Sequence, residues 1–218
     1  MAAARRVAPA LLVTALLAGC GGSAESGSPT ELTGTRLDPP FEVAATALQD
    51  TSGAPYSLTE DTEKPLTLVF FGYTHCPDIC GQVMATLAGA VTRLSDADRE
   101  RVDVVFVTTD PVRDDAETVD GYTDAYDEDF VGLTGSFEDT AEVAASMKVA
   151  IGYFDPKGAE IPVEELPDHG GGYDVDHGTQ VFAIDAEDGA SVFWSQDVSQ
   201  AELADDIHVL LDETGDGA

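Results

Sequence analysis

A chain of 218 residues with 43% apolar content is long enough to bury one substantial core, and its three cysteines are too few for a disulfide-framework fold. Ten Lys and Arg stand against 42 Asp and Glu, a formal net charge of −32, which excludes nucleic acid and anionic lipid surfaces as electrostatic partners. The carboxylates are spread along the chain, the pattern of a solvated surface suited to a salt-rich medium rather than of a binding tail.

The chain opens MAAARRVAPALLVTALLAGC, in which Arg5 and Arg6 precede an apolar stretch from Val7 to Ala18 that is short for a spanning helix and reads as a bacterial secretory signal. Leu17-Ala18-Gly19-Cys20 resembles the lipobox of bacterial lipoproteins. That resemblance implies cleavage before Cys20 and a lipid on its sulfur. Residues 1–19 are then a signal peptide and 20–39 a tether, rich in Gly, Ser and Pro from Gly21 to Pro29. The expected location is extracytoplasmic, on the outer face of the cell membrane, with the lipid as the only membrane contact.

Weak alternation from Phe41 to Ala47, then Asp50-Thr51-Ser52-Gly53 leading to Tyr56 and Leu58, predicts an N-terminal hairpin. Leu66 to Phe71 is the first strong strand. Val83, Leu87, Val91 and Leu94 recur at helical spacing with Met84 and Ala88 beside them, predicting a helix from about Pro77 to Leu94. A second apolar strand, residues 102–109, completes a parallel βαβ unit. A helix around Glu117 to Tyr126, a strand near Val131, a helix from Glu138 to Lys148 and a strand over Val149 to Phe154 follow. Thr179 to Asp185 and Ser191 to Ser195, joined by Ala186-Glu187-Asp188-Gly189, predict an antiparallel hairpin. Ser199 caps a last helix that buries Leu203, Ile207, Leu210 and Leu211. This order is that of an α/β, thioredoxin-like domain over residues 40–213, a central mixed sheet flanked by helices.

The chemistry concentrates in FFGYTHCPDIC, residues 70–80. Pro77 pushes Cys76 out of helical geometry yet is itself tolerated in a first turn, so Cys76 belongs to the loop and Cys80 to the helix. Two cysteines four apart inside a helix would hold their β-carbons about 5–6 Å apart, wider than the about 3.8 Å of a disulfide. A loop position for Cys76 lets the thiols close on each other or on a metal, and the spacing leaves both open. His177, in GGGYDVDHGTQVF (residues 170–182), stands just before the hairpin and is placed by topology to face the end of the first strand. Two soft thiolates with one imidazole suit copper better than hard cations. A disulfide shuttle does not need His177, and its usual motif is C-x-x-C.

Other histidines and acids read as structural. His169-Gly170-Gly171-Gly172 imitates an oxyanion-hole loop, but no G-x-S-x-G accompanies it. His75 abuts Cys76 and could tune the thiols or add a transient ligand, but is expected to have a structural or solvent role at a strand end; His208 is expected on an exposed or half-buried helix face. Asp124, Asp127 and Asp129 lack the glycine and distal glutamate of a calcium loop and read as solvated carboxylates.

Together, FFGYTHCPDIC, TTDPVRDD (residues 108–115) and YDVDHGT (residues 173–179) resemble the Sco/SenC copper proteins, over residues 40–212 or so. The resemblance implies Cys76, Cys80 and His177 as ligands for Cu(I) or Cu(II), a Cys76–Cys80 disulfide in the oxidised form, and Asp110 in a supporting position beside the site. It implies a metallochaperone that helps assemble the dinuclear copper centre of cytochrome c oxidase. Its partners would be the copper-bearing oxidase subunit and another copper carrier. The alternative is a thiol–disulfide oxidoreductase that reduces the oxidase's copper-site cysteines. Gly81 replaces a proline common in the family and Gly178 a hydroxyl residue, so looser ligand loops are expected.

Overall fold

Every residue from Leu66 to Gly72 is buried, which only the middle of a sheet covered on both faces provides. The computed structural model describes Met1 and residues 31–62, 64–167 and 172–215. Residues 2–19 of the expected signal peptide, Cys20, the tether up to Thr30 and His169 lie outside the described residues.

In chain order the elements are β1 (Thr35–Glu42), β2 (Leu48–Asp50), β3 (Pro55–Tyr56), β4 (Leu66–Gly72), α1 (Ile79–Val91), α2 (Asp96–Arg99), β5 (Val102–Thr108), α3 (Ala116–Asp124), β6 (Val131–Thr134), α4 (Phe137–Ser146), β7 (Ile151–Phe154), β8 (Asp174–His177), β9 (Val181–Asp185), β10 (Gly189–Trp194) and α5 (Gln200–Gly215). Eight strands form one mixed sheet in the order β1-β10-β9-β4-β5-β6-β2-β3, and β7 and β8 form a separate ribbon. β4, β5 and β6 are parallel, while β9 runs antiparallel to β4 on its other side.

Period-two alternation divides the core. Leu66, Leu68, Phe70, Val104 and Phe106 join Val83, Met84 and Leu87 of α1 and Leu203, Ile207 and Leu211 of α5. Val69, Phe71, Val105 and Val107 join Val143, Ala144 and Met147 on and just beyond α4. With both faces covered, the carboxyl end of β4 is where the chain emerges with reactive groups, as in other open α/β sheets. The closing helix α5 starts at a reciprocal cap: Glu202 N–H donates to Ser199 Oγ (3.2 Å) and Ser199 N–H to Glu202 Oε2 (3.0 Å). Buried Asp206 then ties that helix to the sheet, accepting from Trp194 Nε1 at 2.7 Å and from Gly34 N–H at 2.8 Å.

Three expectations about the N-terminal half are corrected. The hairpin pairs Leu48 with Tyr56, not Phe41–Ala47; Phe41 lies in β1, at the far edge of the sheet, opposite Ala190. Alternation marks a half-exposed strand without naming its partner. β1 begins at Thr35, so residues 35–39, assigned to the tether, are part of the sheet. The helix expected over 77–94 is shorter, Ile79–Val91, since Asp78 still has non-helical dihedrals and the Thr92 hydroxyl donates back to the Ala88 carbonyl at 2.8 Å. Among the described residues no helix is long and apolar enough to cross a membrane.

Candidate metal centre

Where β4 ends, the chain makes a tight turn closed by Cys76 N–H on the Tyr73 carbonyl (3.3 Å), passes Pro77 and enters α1 at Ile79. Cys76 sits in that turn, partly exposed; Cys80 is the second residue of α1 and wholly buried. Asp78 gives the helix no side-chain cap, and the Cys76 sulfur takes its place, accepting from Cys80 N–H at 3.5 Å. Both cysteines are free thiols.

His177 reaches them from 97 residues away in sequence, its Nε2 at 3.4 Å from Cys80 Sγ. It is not a loop residue but the last residue of β8, opposite Ile151 of β7. The ribbon was not legible as a pair, because four-residue strands carry little periodicity. The Gly178 carbonyl lies 2.8 Å from His177 Nδ1 and can only accept, so Nδ1 carries the hydrogen and Nε2 presents its lone pair to the thiols. Tyr73 meets the imidazole edge-on (5.6 Å between centroids, 87°) and Phe70 lies at 6.2 Å, which fixes the ring. Burial lowers the His177 pKa, outweighing the Gly178 hydrogen bond and the charge of Asp176, and so favours the neutral, ligating form.

The two thiols differ sharply. Burial works against a thiolate at Cys76, yet hydrogen bonds from the Cys80 thiol and from the N–H groups of Cys80, Asp78 and Ile79 prevail, and its pKa is lowered. Cys80 is pushed well above the ordinary thiol range, first by burial and then by donating its own hydrogen to Cys76. Cys76 Sγ, Cys80 Sγ and one His177 nitrogen all lie within 4.8 Å of one another. Bonds of about 2.0–2.3 Å from a metal to N and S ligands place such donors at roughly this separation.

Behind the donors stands a bracket built by the 108–115 segment, of which only Asp110 was expected to matter. Buried Asp110 accepts from Tyr173 OH (2.7 Å) and pairs with Arg113, whose Nη1 donates to the Tyr173 carbonyl (3.1 Å) and whose guanidinium stacks 3.8 Å over the Tyr173 ring. Burial raises the Asp110 pKa despite those partners. Tyr173 immediately precedes β8, so this group positions the strand that ends in His177. Asp114, also buried, accepts from Thr108 Oγ1 (2.6 Å), Thr74 N–H (2.8 Å) and Thr74 Oγ1 (2.6 Å), and so pins the turn that carries Cys76. Asp110 makes no hydrogen bond to any of the three donors; its side chain meets Tyr173 and Arg113. Asp110→Ala leaves a guanidinium and a hydroxyl buried without their acceptor, at an expected cost of about 3 kcal/mol. Thermal melts and a metal titration should show that loss together with about tenfold weaker binding, the low end of what outer partners cost.

The remaining expectations resolve individually. Asp127 and Asp129 are not merely solvated; both pair with Arg99, at 2.7 and 3.3 Å. His208 is exposed and lies against Asp98. Gly81 lies in α1 and Gly178 directly follows β8; a β-carbon would come 3.2 Å from Tyr126 OH at the first and 2.6 Å from Gln180 Oε1, the end of a flexible side chain, at the second.

The family model described as SCO1/SenC matches residues 33–212. Protein SCO1 homolog 1, mitochondrial, of Arabidopsis thaliana is 39% identical over 106 residues, which are 44% of this chain and 32% of that protein; the match thus spans about a third of the relative's length. The solution structure of apo Sco1 from Thermus thermophilus has a TM-score of 0.69 and 31% identity, covering 85% of this chain and 99% of that one. The crystal structure of Arabidopsis thaliana ScoI with copper bound has a TM-score of 0.65 and 26% identity, covering 79% and 99%.

Proposed function

The chain belongs to the SCO1/SenC family, and from that membership we propose that it is a copper metallochaperone serving the dinuclear copper centre of cytochrome c oxidase. Copper is its cargo, held by Cys76, Cys80 and His177. The observation that carries the reading is the convergence of those three donor atoms within 4.8 Å. A relative of the same fold, Arabidopsis ScoI, is known with copper bound. Release to the copper-bearing oxidase subunit and loading from another carrier proceed by ligand exchange, begun at the more exposed Cys76.

Residues 1–19 act as a lipoprotein signal and Cys20 carries the lipid. The tether ends where β1 starts at Thr35, and the domain works on the outer face of the cell membrane.

The unequal thiols support a second reading, thiol–disulfide exchange. The Cys76 thiolate attacks a partner disulfide and one partner thiolate leaves. Cys80, giving up its proton, then attacks the mixed disulfide. The partner departs as a dithiol and the chain keeps a Cys76–Cys80 disulfide, two electrons having passed to the partner. His177→Ala separates the readings. It should weaken copper binding by more than the about 10–100-fold that outer partners cost, while Cys76 and Cys80 still form a disulfide. Loss of oxidase assembly in cells carrying that variant supports the chaperone; undiminished assembly supports the reductase.

A further inference from the structure

Next to Cys76 in the chain stands a second imidazole with the hydrogen bonding of a metal ligand. His75 precedes Cys76, and its side chain is 57% exposed. Its Nδ1 lies 3.3 Å from Asp114 Oδ1 and 3.0 Å from Thr74 Oγ1. Thr74 spends its hydroxyl hydrogen on Asp114, so toward His75 it accepts, as the carboxylate does. In the neutral ring Nδ1 therefore carries the hydrogen, and the lone pair is on Nε2, which has no hydrogen-bond partner among the described residues. A buried carboxylate behind a histidine is the arrangement that orients ligating imidazoles. Asp114 does not need His75 for its own satisfaction, since Thr74 and Thr108 already supply three hydrogens. The pairing thus serves the histidine.

An ion arriving from solvent meets Cys76 and His75 before it meets buried Cys80. The two residues are neighbours, with α-carbons about 3.8 Å apart, and Cys76 is partly exposed where Cys80 is wholly buried. We propose that His75 Nε2 and Cys76 Sγ form a docking site for Cu(I), through which copper enters and leaves the Cys76–Cys80–His177 centre. This rests on the copper reading above. One thiolate and one imidazole satisfy a soft monovalent ion. Copper then moves inward as Cys80 gives its proton to solvent and Cys80 Sγ and His177 Nε2 replace His75 Nε2. The copper stays Cu(I), and the outward path is the reverse.

A ligand that holds copper only in transit speeds loading and unloading equally and leaves affinity unchanged. The test follows Cu(I) by stopped flow in the reduced full chain, loading from the bicinchoninate complex and unloading to excess bathocuproine disulfonate. His75→Gln should slow both rates by about tenfold, with the dissociation constant unchanged within twofold and the melting temperature preserved. The rates of His75→Ala should recover when free imidazole is added, which a purely structural role does not allow. Unchanged rates, loss of affinity, or a change in one direction alone would overturn the docking site while leaving the copper reading intact. Failure of the unsubstituted chain to take up Cu(I) would overturn that reading and this proposal with it.

Discussion

Cys80→Ser is expected to abolish stoichiometric copper loading while leaving the domain folded. Cys80 Sγ stands 3.4 Å from His177 Nε2 and is wholly enclosed. Serine keeps the volume nearly constant and can donate to the same imidazole, which spares the fold. It is a hard oxygen donor that does not ionise at neutral pH, and a two-thiolate centre reduced to one should lose at least about 10³-fold in Cu(I) affinity. Cys76→Ser should lose as much, and it also removes the sulfur that accepts from Cys80 N–H at the start of α1. Copper per chain after desalting, measured beside the circular dichroism of each variant, checks the result. Stoichiometric retention by either folded variant would remove the assignment of the ligands.

Copper affinity should also climb steeply with pH, for a reason specific to this pair. Metal binds thiolates, so each thiol still protonated must release a proton, and each proton released makes apparent affinity rise about tenfold per pH unit. The Cys76 pKa is lowered from the ordinary thiol value and the Cys80 pKa is raised far above it. Above the Cys76 pKa, therefore, one proton leaves per copper bound, that of Cys80; below it two leave and the slope doubles. His177 adds nothing above its own lowered pKa, because it is already neutral there. From pH 6 to pH 8 the gain should be about 100-fold or more. Competition titrations with a Cu(I) chelator of known proton affinity measure the slope. A slope of zero near neutrality would show Cys80 already ionised, contrary to its burial.

Much of this protein is legible in one dimension. The runs at Leu66–Gly72 and Val102–Thr108 are apolar except at Thr67, Asp103 and Thr108, so their place in the middle of a covered sheet follows from composition. The stripes of α1 and α5 follow from helical periodicity, and the choice of two thiols and an imidazole follows from donor chemistry. The parts that were missed depend on partners far away in sequence. Nothing local to Thr35–Glu42 says that it pairs with β10 rather than closing a hairpin, and β7 and β8 are too short to announce each other.

The residue types at the centre are set by the sequence itself, because softness, charge and hydrogen-bonding capacity belong to side chains wherever they stand. Which thiol ionises first, which nitrogen of His177 is free, and why Asp110 and Asp114 matter are decided by the tertiary structure alone. The hydrogen bonds that set them are partly local, from the N–H groups of residues 78–80 to Cys76 and from His177 to the Gly178 carbonyl, but they act in the geometry that burial and contacts such as Thr74 with Asp114 and Cys80 with His177, 40 and 97 residues apart, impose, and only the folded chain brings those groups within reach of one another.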